Sequence, residues 1–237
     1  MIPKIIHYCW FGNNKKNKII RKCINSWKEK LPDYQIIEWN EENFDFESFQ
    51  YAKDAYHAKK FAFVSDVARV KALYEYGGIY LDTDVMVYKS FDSILNHKCV
   101  LGFEQENYIA TSFMACEPKH ELMKEFYDLY MDLPFYDENM NIISGTNVTK
   151  LTDILLKKGL NRNNKYQELG NIVIYPQEYF SPYDYGNCIK QNTEKTICEH
   201  LFLVSWLSKK IKFYKVIKKF LVKIVGKNGL NKLRRFK

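Results

Sequence analysis

The sequence predicts an α/β protein in which a sheet is covered by helices, and three observations carry that reading. Residues 4–11, KIIHYCWF, concentrate β-branched and aromatic side chains ahead of Gly12. Ile20, Cys23, Ile24, Trp27 and Leu31 then recur at helical spacing until Pro32 stops the pattern. Residues 34–39 return to strand composition, and a β, α, β opening is the start of a sheet with helices packed on it.

The later elements follow in order. Asn40 is placed to cap a turn, and the aromatic-rich stretch 44–56 fits neither periodicity cleanly. Ser65 is the expected N-cap of a helix that runs through Val67, Val70, Leu73 and Tyr74 to Gly77, read as a left-handed C-cap. Residues 79–87, IYLDTDVMV, read as one strand with acids in its middle. Further strands are expected at 99–103, 109–115 and 172–175, with helices near 121–133 and 148–158.

Composition narrows the class. The 237 residues, 46% hydrophobic and 27% charged, can bury one sizeable core, and no Pro/Gly/Ser-rich stretch divides the interior. A second unit is therefore expected only at a terminus. The longest apolar runs, such as LFLVSWL at 201–207, fall well short of the roughly 20 residues of a membrane span. The first residues hold no h-region, so a secreted precursor is not expected. Cys9, Cys23, Cys99, Cys116, Cys188 and Cys198 include no CxxC pair, which argues for reduced thiols rather than a zinc or disulfide framework.

The net charge of +8 is unevenly spread. Residues 207–237 hold ten Lys and two Arg without an acid, which leaves 24 basic against 28 acidic residues in 1–206. The expected organisation is a mildly acidic domain over 1–206 and a basic tail over 207–237. In the tail, Phe213, Ile217, Phe220, Leu221 and Ile224 form one helical face, and Lys212, Lys215, Lys219 and Lys223 form another. Such an amphipathic helix lies in an anionic membrane surface rather than crossing it. Nucleic acid is not the expected partner, because the net positive charge is confined to the tail and the body carries no excess of basic residues.

Chemistry concentrates at Asp82 and Asp84. Two carboxylates at i and i+2 of an extended segment project to one side and can share a cation, and hard ions such as Mg²⁺ and Mn²⁺ favour such oxygen ligands. These acids lie between IYL and VMV, where burial without a cation would be costly. Asp66 and Arg69, three residues apart, share one face of the preceding helix. The short Gly77-Gly78 link can bring that helix and the acidic strand to a common region.

The run FAFVSDVARVKALYEYGGIYLDTDV at 61–85, together with IPKIIHYCWFG at 2–12 and Ser205-Trp206, resembles the DXD-containing sugar transferases of glycosyltransferase family 32. The nearest type is that of bacterial capsular-polysaccharide and lipopolysaccharide synthesis, with a distant likeness to the catalytic domain of large glucosylating toxins. The resemblance implies a GT-A fold (a Rossmann-like mixed sheet flanked by helices), a nucleotide-sugar donor carrying UDP, and a Mn²⁺ or Mg²⁺ ion. It also implies transfer with retention of configuration to a glycan or lipid-linked acceptor. By the same resemblance, Trp10 stacks on the base, Asp66 and Arg69 contact the donor sugar or phosphate, and Tyr80 lies near the diphosphate. Asp82 contacts ribose or sugar and a metal-bound water, and Asp84 ligates the metal. Ser205 and Trp206 close the donor site. In ICEHLFLVSW the segment departs from the His-His or His-Phe pattern of many relatives, leaving His200 as a candidate metal or phosphate contact beside Glu199. His7 reads as structural. The expected location is the cytoplasm, from the reduced thiols, and peripheral to the inner face of the cell membrane, through the basic tail.

Two hydrolytic readings fit less well. Adjacent acids facing one way are poorly placed to flank a sugar ring from two sides as glycosidase carboxylates do. The phosphatase Asp-x-Asp pattern carries Thr or Val four residues after the first Asp, where this chain has Met86. The alternative outside catalysis is a membrane- or nucleic-acid-binding module with a basic tail, which leaves the acidic cluster without a purpose.

Overall fold

The computed structural model describes residues 1–143, 145–184 and 189–203. Ser205, Trp206, Cys188, the boundary at 206 and the basic tail lie outside the described residues. The chain runs β1 (Ile5–Cys9), α1 (Lys18–Lys30), β2 (Gln35–Trp39), α2 (Gln50–His57), α3 (Phe61–Tyr76), β3 (Gly78–Leu81), β4 (Val85–Val87), β5 (Cys99–Gly102) and β6 (Phe113–Cys116). It continues through α4 (Glu121–Asp132), α5 (Asn147–Lys157), β7 (Gln167–Leu169), β8 (Ile172–Tyr175), α6 (Gln177–Phe180), β9 (Tyr183–Asp184), β10 (Ile189–Lys190) and β11 (Cys198–His200).

Seven strands form one mixed sheet in the order β2-β1-β3-β6-β5-β8-β7. β1 is parallel to β2 and β3, β6 is antiparallel to both β3 and β5, and β5 is parallel to β8. The class expected from the sequence, an α/β sheet flanked by helices, is therefore the one adopted. Alternation along the strands divides the apolar residues between two cores, one per face. Tyr80, Leu101 and Met114 join α2, α3, α4 and α5, whereas Ile79, Leu81, Val100 and Phe113 join α1 and Phe180.

Local chemistry explains the elements that hold the site. Asn17 caps α1 by accepting from the Ile19 and Ile20 N–H groups, and the buried stripe Ile20, Cys23, Ile24 and Trp27 faces the sheet. The Trp27 indole N–H donates to Val85 O (2.7 Å) and Val87 N–H donates to the Ser26 hydroxyl (3.0 Å), so α1 grips β4 directly. At the junction of α3 and β3 two glycines are required. A Cβ on Gly77 (φ +64°) would lie 2.6 Å from Pro118 N, and one on Gly78 (φ +94°) would lie 2.6 Å from Ile5 O.

Four expectations are corrected. Helix α3 begins at Phe61 rather than after Ser65, because the apolar turn 61–64 extends the helix; the Ser65 hydroxyl donates back to Phe61 O (3.0 Å) from inside it. Gly77 has a positive φ but an extended ψ of −158°, so it is not a left-handed cap. Residues 79–87 are two strands separated by a turn closed by Val85 N–H donating to Asp82 O (2.9 Å), because β4 leaves the main sheet to pair with β11. The strand expected at 109–115 starts only at Phe113 and ends at Cys116, since the preceding backbone turns toward Gly102 and Arg69.

Candidate active site

The C-terminal ends of β1, β3 and β5 point the same way, and in open α/β sheets that edge is where ligands bind. Trp10 follows β1, Asp82 follows β3, and Glu104 lies two residues beyond β5. The predicted residues Asp66, Arg69, Tyr80, Asp82, Asp84 and His200 are brought to this edge.

Arg69 is its internal hub. It is only 6% exposed. Nη2 contacts Asp66 Oδ1 at 3.1 Å and Asp82 Oδ1 at 3.3 Å, Nη1 donates to Thr111 O (2.8 Å), and Nε donates to Ser65 O (3.3 Å). Its guanidinium also lies 4.6 Å from the Tyr80 ring centroid, and the Tyr80 hydroxyl donates to Asp82 Oδ1 (3.0 Å). With each nitrogen partnered inside the chain, Arg69 chiefly neutralises and fixes two carboxylates. Asp66 also accepts from Asn147 Nδ2 (3.0 Å), and Asn147 Oδ1 accepts from the Tyr130 hydroxyl (3.0 Å). Burial raises the Asp66 carboxyl to about 6 despite the opposing charge of Arg69.

The two acids of the DXD run converge through the turn, not through extended pleating. β11 pairs antiparallel with β4 and sets His200 opposite Val85. His200 Nε2 thereby lies 3.3 Å from Asp84 Oδ1, and ligand atoms of Asp82, Asp84 and His200 all fall within 4.8 Å of one another. Asp84 is bound further by the strap that follows β11, its backbone O accepting from Leu201 N–H (3.0 Å) and its Oδ2 from Leu203 N–H (2.7 Å). Burial alone would raise the Asp84 carboxyl; the His200 ring and the Leu203 N–H together hold it below its usual value. Burial likewise opposes charge on His200, but Asp84 and the other acids outweigh it and raise the imidazole to about 9. His200 Nδ1 is buried and has no partner among the described residues.

Other predicted positions are placed as follows. Trp10 is half-buried, its indole N–H donates to Asn14 O (2.7 Å), and the Lys16 ammonium lies 5.2 Å from its ring centroid, so a base stacking there meets a cation already over the ring. His7 is fully buried and structural in its contacts. Glu199 is also buried, and it binds the Tyr88 hydroxyl, Lys190 and Asn192 rather than the acidic turn.

Sequence reasoning missed Glu104 and Asn147. Glu104 carries a carboxyl that burial raises to about 7, in the field of His200, Asp82 and Arg69. An acid just past a predicted strand of an α/β sheet was a usable signal for it. Asn147 opens α5 and touches Asp66 across 81 positions of sequence, a contact without a local trace.

Residues 18–101, about a third of the chain, match the family described as a glycosyltransferase sugar-binding region containing a DXD motif. A DXD glycosyltransferase region lies here. It contains Asp66, Arg69, Tyr80, Asp82 and Asp84, while Trp10 and His200 lie outside it. The chain is 37% identical over 67 residues to lactosylceramide 4-alpha-galactosyltransferase of Homo sapiens, a match spanning 27% of this chain and 18% of that enzyme. The chain thus spans less than a third of the length of that curated relative. Among solved structures, PaToxG glycosyltransferase is similar at 19% identity and a TM-score of 0.49 over 66% of this chain and 68% of that one. The galactosyltransferase LgtC, solved with donor and acceptor sugar analogs, is similar at 13% identity and a TM-score of 0.48 over 92% and 95%.

Proposed function

We propose that the chain is a metal-dependent, retaining glycosyltransferase of GT-A type that moves a sugar from a UDP-sugar to a glycan or lipid-linked acceptor in bacterial surface polysaccharide synthesis. The observation that carries this reading is the convergence of Asp82, Asp84 and His200 beside the Asp66–Arg69 pair, within a chain that contains a DXD glycosyltransferase region. The donor set fits a Mn²⁺ or Mg²⁺ ion: two carboxylates supply hard oxygen atoms, and the His200 imidazole, whose Nε2 lies 3.3 Å from Asp84 Oδ1, would join them on giving up its proton. Asp84 and His200 would hold the ion, with Asp82 contributing from the other side of the turn. When bound, such an ion supplies positive charge to the oxygens of a departing diphosphate.

The remaining work falls to side chains. Arg69 holds Asp82 and Asp66 in register, so the positions of the turn and the sugar pocket are linked. Asp66, paired with Arg69, would accept hydrogen bonds from sugar hydroxyls. Trp10 presents a flat face to the base once Lys16 swings aside. Retention, UDP and the bacterial surface role are supported by the resemblance to family 32.

The test is a screen of UDP- and GDP-sugar hydrolysis with and without Mn²⁺. Turnover is expected only with the ion, and Asp84→Ala is expected to lower it by about 10²–10³-fold, the scale for removing a group that stabilises developing charge. Full turnover in excess EDTA overturns the metal reading. The cytoplasmic, peripheral location rests on the basic tail, 207–237. Deleting 208–237 is expected to abolish sedimentation with anionic liposomes while leaving donor hydrolysis intact; unchanged sedimentation overturns the tether.

A further inference from the structure

His200 poses a problem of orientation. Its Nε2 lies 3.3 Å from Asp84 Oδ1, and its Nδ1 has no hydrogen-bond partner among the described residues. Histidines that bind metals ordinarily have the ring fixed by a hydrogen bond from the second nitrogen to a carboxylate, carbonyl or water. Here the ring is fixed through its face. The Phe202 ring lies 3.9 Å from the imidazole centroid at 32°, and its stacked contact with Tyr183, at 5.7 Å and 29°, backs it. Tyr183 belongs to β9, which β10 pairs, so the stack ends on hydrogen-bonded structure.

The backbone of Phe202 adds a second, independent observation. Its φ is +50°, in the left-handed region that a bulky aromatic residue rarely enters. Such a conformation persists where the surroundings over-determine it, and the residues on either side show what it accomplishes. Leu201 N–H donates to Asp84 O and Leu203 N–H to Asp84 Oδ2. In an extended strand, at about 3.3 Å per residue, those two N–H groups would be roughly 6.6 Å apart. Folding the chain back at Phe202 lets both converge on one residue. The kink therefore anchors the Asp84 carboxylate while the ring of the same residue anchors His200.

We propose that Phe202 is a positioning residue of the Asp82–Asp84–His200 centre, its ring aiming the imidazole and its left-handed backbone delivering Leu203 N–H to Asp84. The proposal rests on the metal-binding reading above and goes beyond it by naming what preorganises the ligands. Phe202 itself offers no ligand atom, so it acts only through His200 and Asp84.

Two measurements on the full chain test it: Mn²⁺ titration followed by electron paramagnetic resonance, and the ¹⁵N signals of the His200 imidazole in metal-free protein. Phe202→Ala keeps the demand for a left-handed L-residue and removes the ring. It is expected to weaken Mn²⁺ binding about tenfold or more and to shift the His200 signals. Phe202→Tyr, which keeps the face, should stay within about threefold of the unaltered chain. Phe202→Gly relieves the backbone yet should also weaken Mn²⁺, because relief of strain does not replace the ring. Should Phe202→Ala fail to fold by thermal melting, Phe202→Leu, which retains bulk without a flat face, takes its place. Unchanged Mn²⁺ affinity and unchanged His200 signals in a folded Ala or Leu variant overturn the proposal alone. Absence of Mn²⁺ binding by the unaltered chain instead overturns the metal reading beneath it.

Discussion

His7 and His200 are both enclosed by the fold, and their surroundings make opposite demands of the same side chain. At His7 every valence is used: Nδ1 accepts from the Trp39 indole N–H (3.1 Å), and Nε2–H donates to Gly77 O (2.8 Å). Both partners are neutral, so burial pushes the imidazole down to about 4, and the Gly77 carbonyl restores only part of that. At His200 one nitrogen meets a carboxylate and the other meets no described partner, and the imidazole is raised to about 9 against the cost of burial. A saturated buried ring stabilises the fold. An unsaturated, half-buried ring beside two acids keeps a bond in reserve for a ligand.

The largest expected effect lies between these extremes, at Arg69. Its network is saturated like that of His7 but touches the acidic turn like that of His200. Arg69→Ala leaves Asp66 and Asp82 without their shared cation, and loss of one partner from a buried ionic group costs about 3–5 kcal/mol. Chemical denaturation should show that loss together with failure of donor turnover. If only turnover fell, the network would be catalytic without being structural, and the contrast between closed and open regions would weaken.

His7 sharpens the contrast through pH. Its folded pKa, about 4, lies below the unfolded value of about 6.5. Its contribution to stability is therefore complete above pH 6.5 and is lost as pH falls from there toward 4, on the order of 3 kcal/mol. His7→Leu should remove this part of the acid limb, while leaving Trp39 N–H and Gly77 O unpaired at a cost of about 1–3 kcal/mol at pH 7. An acid limb identical to that of the unaltered chain would show that His7 is not the group being titrated.

The smallest effect is expected at Trp10, which sits at the open edge yet is half-buried. Trp10→Ala should weaken UDP-sugar binding by about 1–3 kcal/mol, the scale for losing a base from an aromatic face, with little change in melting temperature. A large drop in melting temperature with unchanged donor affinity in the folded protein would move Trp10 to the closed class with His7.

The legible part of the molecule is the part written in local spacing. Helix α1 was readable from a five-residue apolar stripe and a terminating proline, and β8 from four consecutive strand formers, because each pattern lies within one element. The Asp66–Arg69 pair was readable because i and i+3 share a helix face wherever that helix packs. Helix α2 was not, since its eight residues follow Phe49, which offers no side-chain cap, and its aromatic neighbours suit a strand equally well. The acidic run announced itself, but its shape did not: the turn exists because β4 leaves the main sheet for β11, a partner more than a hundred residues away.

The sequence by itself thus determined the α/β class, the order of its main elements, the acids of the turn and the arginine that serves them. Those features follow from periodicity and from the cost of burying charge, which act on neighbours in the chain. Only the tertiary structure decided that Arg69 bridges both Asp66 and Asp82, that Asn147 steadies Asp66, and that the pairing of β11 with β4 brings His200 to Asp84. Each of those contacts joins residues whose separation in sequence is set by the sheet order and by loop lengths. No local pattern records such a pairing, because the energy that selects it belongs to the packed molecule as a whole.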